Sequence, residues 1–199
     1  MDKAVANTLL DAAGIARCEW DWAWGIDALN NFDTLCSRLE KKLGWPIFVK
    51  PANAGSSVGI SKANNPQELK KAIEIAYAED KKIVFERFVE GQEVECAVIG
   101  NHCPTATLPG EILASQDFYT YDDKYISGTS RTQIPANLSQ KQLEQVQQQA
   151  VKAYKVLGCE GLTRADFFVE KGTGAILVNE LNTLPGFTAI SMYPQLMAH

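Results

Sequence analysis

The sequence predicts an α+β fold made of two lobes. Three observations predict it. Two stretches, about residues 45–99 and 104–182, concentrate short strand-like runs broken by Gly, Pro, Asn and Ser turn signals. Helix-like runs at 2–13, 30–43, 66–80 and 138–157 surround and interrupt them. Residues 164–182 alternate apolar and polar side chains around a Gly-containing turn, the pattern of an antiparallel hairpin.

The chain has 199 residues, 46% of them hydrophobic, enough for a core in one large domain or two small lobes. Its formal charge of -5 argues against nucleic acid as the main partner. No apolar run is long enough to span a membrane, and the charged N-terminus does not read as a signal peptide. The five cysteines show no CxxC spacing, which fits reduced thiols in the cytoplasm better than disulfides or zinc. With only His102 and His199, a His-based metal site or Ser-His-Asp triad is poorly supported.

In chain order, residues 2–13 read as a helix with Val5, Leu9, Leu10 and Ala13 on one side, stopped at Gly14. The aromatic stretch 18–29 has no assigned element. Its three tryptophans read as packing, with a stacking platform as the alternative. A helix follows at 30–43, capped by Asn31 or Asp33. Residues 45–50 form a short strand that delivers Lys50 into a Gly/Ser/Asn-rich loop, 51–62. Such a loop offers N–H and hydroxyl donors to phosphate oxygens, and Lys50 would add a cation. The Walker A pattern is absent, and Gly/Ser loops are more often turns or linkers. Residues 59–62 are the return strand.

A Pro-started helix spans 66–80. Strands at 82–89 and 93–99 flank a turn at 90–92, with Val84, Phe85, Val94, Ala97 and Val98 in the core. Residues 86–93 read either as an adenine and ribose site, using the Arg87–Phe88–Val89 backbone and Glu93, or as ordinary exposed strand glutamates. A strand is expected at 105–113. The polar, tyrosine-rich stretch 115–131 reads either as a lid or as a loop packed by its own tyrosines. A Gln-rich helix runs 138–157, opened by Ser139 and closed by Gly158, with its Gln run on solvated surface.

The hairpin is the centre of the chemistry. An odd-sized connection centred on Thr173 places Asp166 opposite Glu180 and Arg164 opposite Asn182, and opposed residues share a face. A slip of one residue would scatter them. Two carboxylates and an amide oxygen suit a hard cation such as Mg²⁺, with Arg164 placed to hold an anion beside it. The alternative is a solvated face with one Arg–Asp pair.

Assembled in order, MDK, FVKPANAGSSVGISK, FERFVEGQEVECAVIG, PGEI, FYTYDDKY, RADFFV and VNELNTLPGFTAISMYP resemble the ATP-grasp portion of the D-alanine–D-alanine ligases over nearly the whole chain. The resemblance implies an ATP-grasp fold, with nucleotide bound between the antiparallel sheets of two α+β lobes. These are about 45–99, and about 1–44 with 104–199. It implies formation of D-alanyl phosphate from ATP and D-alanine, then joining to a second D-alanine for peptidoglycan. It assigns Lys3, Lys50, Ser57 and the lid residue Lys124 to ATP, with Glu86, Arg87, Phe88, Val89 and Glu93 around adenosine. Asp166, Glu180 and Asn182 would hold a pair of Mg²⁺ ions, or Mn²⁺. Arg164 and the Gly186 N–H would stabilise the tetrahedral intermediate. Ser191 and Met192 would meet the second D-alanine, with Tyr119 also at the substrate, and Ser56 would pair with Tyr125 to anchor the lid. Tyr125 favours D-alanine over D-lactate as second substrate. The family carries a further N-terminal domain that positions the first D-alanine, so the resemblance implies a fragment here, and a homodimer for the full-length protein. The competing readings are a nucleotide-binding module inactive alone and an ATP-grasp ligase for another carboxylate and amine, such as a D-alanine–D-lactate ligase.

Overall fold

The computed structural model describes residues 1–113, 131–188 and 190–199. They divide into two compact units. The first comprises residues 1–5 and 18–89, the second residues 6–17 and 90–199. No helix among the described residues is long and apolar enough to cross a membrane.

The first unit is a four-stranded antiparallel sheet in the order β1-β4-β2-β3. Its strands are β1 (Trp20–Trp24), β2 (Ile47–Pro51), β3 (Ser61–Ala63) and β4 (Lys82–Arg87). Helices α2 (Gly25–Asn30), α3 (Phe32–Leu43) and α4 (Pro66–Glu79) pack on one face. The reason is periodicity. Leu35, Cys36, Leu39 and Leu43 line one side of α3, and Leu69, Ala72, Ile73 and Ala76 one side of α4. They meet Ile47, Val49, Ile83 and Phe85, the inward set of an alternating strand pair. Burying each large side chain contributes about 1.5–3 kcal/mol. Asn65 caps α4 by accepting the Glu68 N–H at 2.9 Å, with Pro66 following it. Gly25 is required where α2 meets α4, because a Cβ there would lie 2.2 Å from the Tyr77 ring.

Strand β1 and helix α2 occupy the stretch to which the sequence assigned no element. WDWAW does alternate, with Asp21 and Ala23 on the helix side and three tryptophans on the other. The pattern is inverted for an ordinary half-buried strand, because the large rings lie on the face the helices leave open. Only Trp20 packs as expected, against Ala4, Ala52 and Val84. Trp22 and Trp24 are about 40% exposed, with Lys82 Nζ 5.5 and 5.4 Å from their rings.

The second unit holds α1 (Lys3–Ala12) from its fourth residue on, and a sheet of six described strands. These are β5 (Gly91–Ile99), β6 (Thr105–Ala106), β7 (Gly110–Leu113), β8 (Arg131–Gln133), β9 (Leu162–Glu170) and β10 (Ile176–Asn182). The order is β10-β9-β5-β7-β8, with β6 also paired to β5. Helix α5 (Gln140–Val156) covers one face. Val146, Ala150, Ala153 and Tyr154 pack there on Val94, Cys96, Val98, Ala165, Phe167 and Val178, with Leu10 of α1 and Ile15. Ser139 and Gln142 close a capping box at the start of α5. On the other face α6 (Met192–Ala198) places Met192, Tyr193 and Leu196 against Ala97.

Three expectations differ from this architecture. Residues 18–44 belong to the first unit, and β5 pairs in the sheet of the second, so β4 and β5 are not a hairpin. The expected strand 105–113 is broken into β6 and β7 ahead of Pro109, which lacks a ladder donor. Helix α1 buries Ala6, Asn7 and Leu10, which share a face one turn apart, and leaves Val5 and Leu9 half-exposed.

Candidate functional site

In the first unit, strand register builds an open face carrying both polar and aromatic groups. Glu86 stands opposite Trp20 on one side and Phe48 on the other, and Phe48 stands opposite Lys62. Lys50 is two residues beyond Phe48, on the same face. Its Nζ reaches Glu86 Oε2 at 2.5 Å, with the two side chains 12% and 5% exposed. Phe88 stacks on Phe48 with centroids 6.0 Å apart, and Lys62 Nζ lies 4.3 Å from the Phe88 centroid. The Arg87 N–H donates to Glu19 O and the Phe88 N–H to Pro46 O. Val89 is buried.

The loop after β2 is held at its base and bent at its tip. Lys3 donates through Nζ to Ala54 O at 2.6 Å and through its N–H to Ala52 O. Asn53 donates through N–H and Nδ2 to Asp80 Oδ2. Ser56 and Ser57 then take φ of 53° and 60°. Consecutive left-handed non-glycine residues are uncommon and carry strain of about 1–3 kcal/mol each, a feature concentrated at ligand clamps.

In the second unit the β9–β10 hairpin sets Asp166 opposite Glu180 and Arg164 opposite Asn182. The route differs from the expected one. The turn is even-sized, pairing Ile176 with Val169 and Val178 with Phe167. Continued unbroken, that register would set Asn179 opposite Asp166 and turn Glu180 towards the core face. A bulge between Val178 and Glu180 absorbs Asn179 and shifts the ladder by one residue. Val178 and Leu181, three apart, are thereby both buried, and Glu180 emerges beside Asp166.

Strand β5 adds a residue that the sequence reading did not single out. Glu95 lies opposite Asp166 on the other side of β9, so Glu180, Asp166 and Glu95 form one row across three strands. Arg164 donates to both Asp166 oxygens, Nε to Oδ1 and Nη2 to Oδ2, each at 2.7 Å. Its Nε is also 3.0 Å from Glu95 Oε2. Asn182 Nδ2 donates to Asp166 Oδ2 at 2.9 Å. Burial works against the Arg164 charge, but Asp166, then Glu95 and Glu180, outweigh it and raise its pKa above the ordinary guanidinium value. Alternation along β5 marks Glu93 and Glu95 as sharing a face. That β9 is their neighbour is a non-local fact that no local pattern carries.

Asp166, Glu180 and the Asn182 amide form an oxygen-rich set of the kind Mg²⁺ or Mn²⁺ takes. Among the described residues no three His, Cys, Asp or Glu side chains converge as a preformed cage. Arg164 and Asn182 both donate to Asp166, so a cation there would share its carboxylate with those donors.

Glu93 is half-buried on β5, opposite Phe168. Glu86 and Glu93, expected around one adenosine, lie on different sheets. Beyond β10, Ser191 Oγ accepts the Thr188 N–H at 3.0 Å. A Cβ on Gly186 would come within 2.8 Å of that Oγ, so a side chain there would push the Ser191 hydroxyl aside. Met192 is buried at the start of α6, while Leu184, Phe187 and Ile190 are strongly exposed. Tyr119, Lys124 and Tyr125, with the rest of the expected lid up to residue 130, lie outside the described residues.

Comparison with known proteins adds the family context. Residues 9–199 match the family model described as D-ala D-ala ligase C-terminus. The chain is 47% identical over 196 residues to a D-alanine–D-alanine ligase of Acetivibrio thermocellus, covering 98% of this chain and 52% of that protein. It is 46% identical over 199 residues to the enzyme of that name from Chlorobium phaeobacteroides, covering 100% and 55%. Among solved structures it is similar to the VanG D-Ala:D-Ser ligase of Enterococcus faecalis, with a TM-score of 0.87 at 37% identity, covering 100% of this chain and 56% of that one. It is also similar to the D-alanine–D-alanine ligase of Coxiella burnetii, with a TM-score of 0.82 at 36% identity, covering 100% and 51%. The chain thus spans about half the length of the curated relatives it matches.

Proposed function

We propose, since the chain belongs to the D-alanine–D-alanine ligase C-terminal family, that it is the ATP- and cation-binding part of an enzyme joining two D-alanines through a D-alanyl phosphate. The product would serve peptidoglycan precursor synthesis in the cytoplasm. The observation that carries the proposal is the face on which the bulged hairpin gathers Arg164, Asp166, Glu180 and Asn182.

Acyl-phosphate formation brings a carboxylate against an anionic polyphosphate, so much of the barrier is charge repulsion. Cations placed at the transferring group lower it. Lys50, with Lys3, Ser57 and the lid residue Lys124, would take the ATP phosphates. Lys50 is already paired with Glu86, so phosphate would exchange one anionic partner for another. Glu86, Glu93 and residues 87–89 would take the adenosine. Asp166, Glu180 and Asn182 would hold Mg²⁺, or Mn²⁺, which supplies charge neutralisation at the phosphoryl group. Arg164 and the Gly186 N–H would then meet the oxyanion as the second amine attacks the acyl carbonyl. Ser191, Met192 and Tyr119 would orient that second substrate. Ser56 and Tyr125 would close the lid, excluding water from the labile acyl phosphate. The full-length protein would act as a homodimer.

Calorimetric titration of the chain with ATP and Mg²⁺, followed by assay for dipeptide on adding D-alanine, tests the proposal. Mg²⁺-dependent ATP binding is expected. Its absence would overturn the assignment. A second reading, D-serine as the second substrate, is favoured by the likeness to VanG. Product analysis of the full-length enzyme with D-alanine and D-serine in competition separates the two.

A further inference from the structure

We propose that Glu95 is a positioning residue for Arg164, a second carboxylate that takes the guanidinium when a divalent cation claims Asp166. The inference rests on the metal role proposed for Asp166. Its geometry is already present. Arg164 Nε lies 2.7 Å from Asp166 Oδ1 and 3.0 Å from Glu95 Oε2. The two carboxylates face each other across adjacent strands, so a small rotation of the guanidinium moves its bonds from one to the other. Both are nearly buried, Glu95 at 8% and Asp166 at 9% exposure. A carboxylate so far from water is expensive unless a cation compensates it.

Charge points the same way. Glu95, Asp166 and Glu180 place three carboxylates around the Arg164 guanidinium, a setting that favours a further cation. Without Glu95, Asp166 would have to serve Arg164 and the cation together, and the guanidinium would compete with the metal. With it, Arg164 stays on the face, charged and directed, while Asp166 changes partner.

The test is Mn²⁺ affinity of the 199-residue chain, read by electron paramagnetic resonance, for wild type, Glu95→Gln, Arg164→Gln and the double variant. Glu95→Gln is expected to weaken Mn²⁺ binding roughly tenfold, the scale of one charge-assisted hydrogen bond. Arg164→Gln removes the competing cation and should strengthen it. In the Arg164→Gln background, Glu95→Gln should change affinity by less than about twofold, since the two residues act as one unit. A loss as large or larger without Arg164 would mean that Glu95 acts on the cation directly, and would overturn the proposal. No loss in the Arg164 background would overturn it too. Should Glu95→Gln fail to fold, Glu95→Asp, which keeps the charge but shortens the reach, carries the same comparison with a smaller loss expected. Wild-type Mn²⁺ binding that Asp166→Asn leaves unchanged would overturn the metal role of Asp166 itself, and this inference with it.

Discussion

Lys50→Met tests how the first unit's site is held. The Lys50 ammonium lies 2.5 Å from Glu86 Oε2, and the side chains are 12% and 5% exposed. Methionine keeps most of the apolar stem and removes the charge. The Glu86 carboxylate then remains between Trp20 and Phe48 without that cation. Removing one partner of a buried pair destabilises by about 3–5 kcal/mol. Lys50 retains some solvent contact, so about 3 kcal/mol is expected, the low end of that range. For a chain of this size that lowers Tm by about 6–12 °C. Changing both residues, Lys50→Met with Glu86→Gln, removes the pair whole and should recover most of the loss, because an intact buried pair is nearly neutral against uncharged replacements. Differential scanning calorimetry of the two single variants and the double variant measures the coupling. A fall of under about 2 °C for Lys50→Met, or simple additivity in the double variant, would refute the view that each charge is held by the other.

Glu180→Gln should weaken Mg²⁺-dependent ATP binding at least about tenfold while leaving Tm within about 2 °C, since the residue is half-buried on the open face; unchanged metal dependence in calorimetry would remove Glu180 from the site. Asp2 loses some charge stability to burial, but Lys82 at 2.6 Å and the N–H groups of Val5 and Ala4 hold its pKa below the usual carboxylate value. Its contribution is therefore complete above the unfolded value, about 3.9, and is lost as pH falls through the lower folded value. Asp2→Asn should flatten the fall in Tm below about pH 4, and an unaltered pH profile would contradict this. Asn65→Ala should destabilise by about 1 kcal/mol through loss of the α4 cap, measured by urea unfolding. Gly25→Ala should destabilise by about 1–3 kcal/mol because its methyl group meets the Tyr77 ring, and a neutral outcome would show that α2 can withdraw from α4.

Much of this protein is written locally. Asn65-Pro66 opens α4, Ser139 with Gln142 opens α5, and Gly44 and Gly158 close their helices with φ of 68° and 62°. Each signal acts within one turn of the chain, so the sequence carries it without reference to the rest of the fold. The Lys50 strand running into a Gly/Ser loop is likewise a local signal, and so are the residue types Arg164, Asp166, Glu180 and Asn182 on two strands around a glycine turn, though not their register.

What tertiary structure alone decided is partnership. Strand alternation tells which side chains share a face, and it is silent on which strand lies alongside. WDWAW became an edge strand because β4 offered it a partner, and β5 left β4 for β9. The hairpin shows the division most clearly. The turn by itself sets a register that turns Glu180 towards the core, and burial of both Val178 and Leu181 demands one residue more. The bulge at Asn179 satisfies both, and it also places Glu180 beside Asp166. Glu95 joins them only because β5 is the other neighbour of β9. Sequence fixes the period and the turn, which are properties of adjacent residues. Register and neighbourhood are settled by the apolar surface buried between residues far apart in the chain, and the site stands where those long-range choices meet.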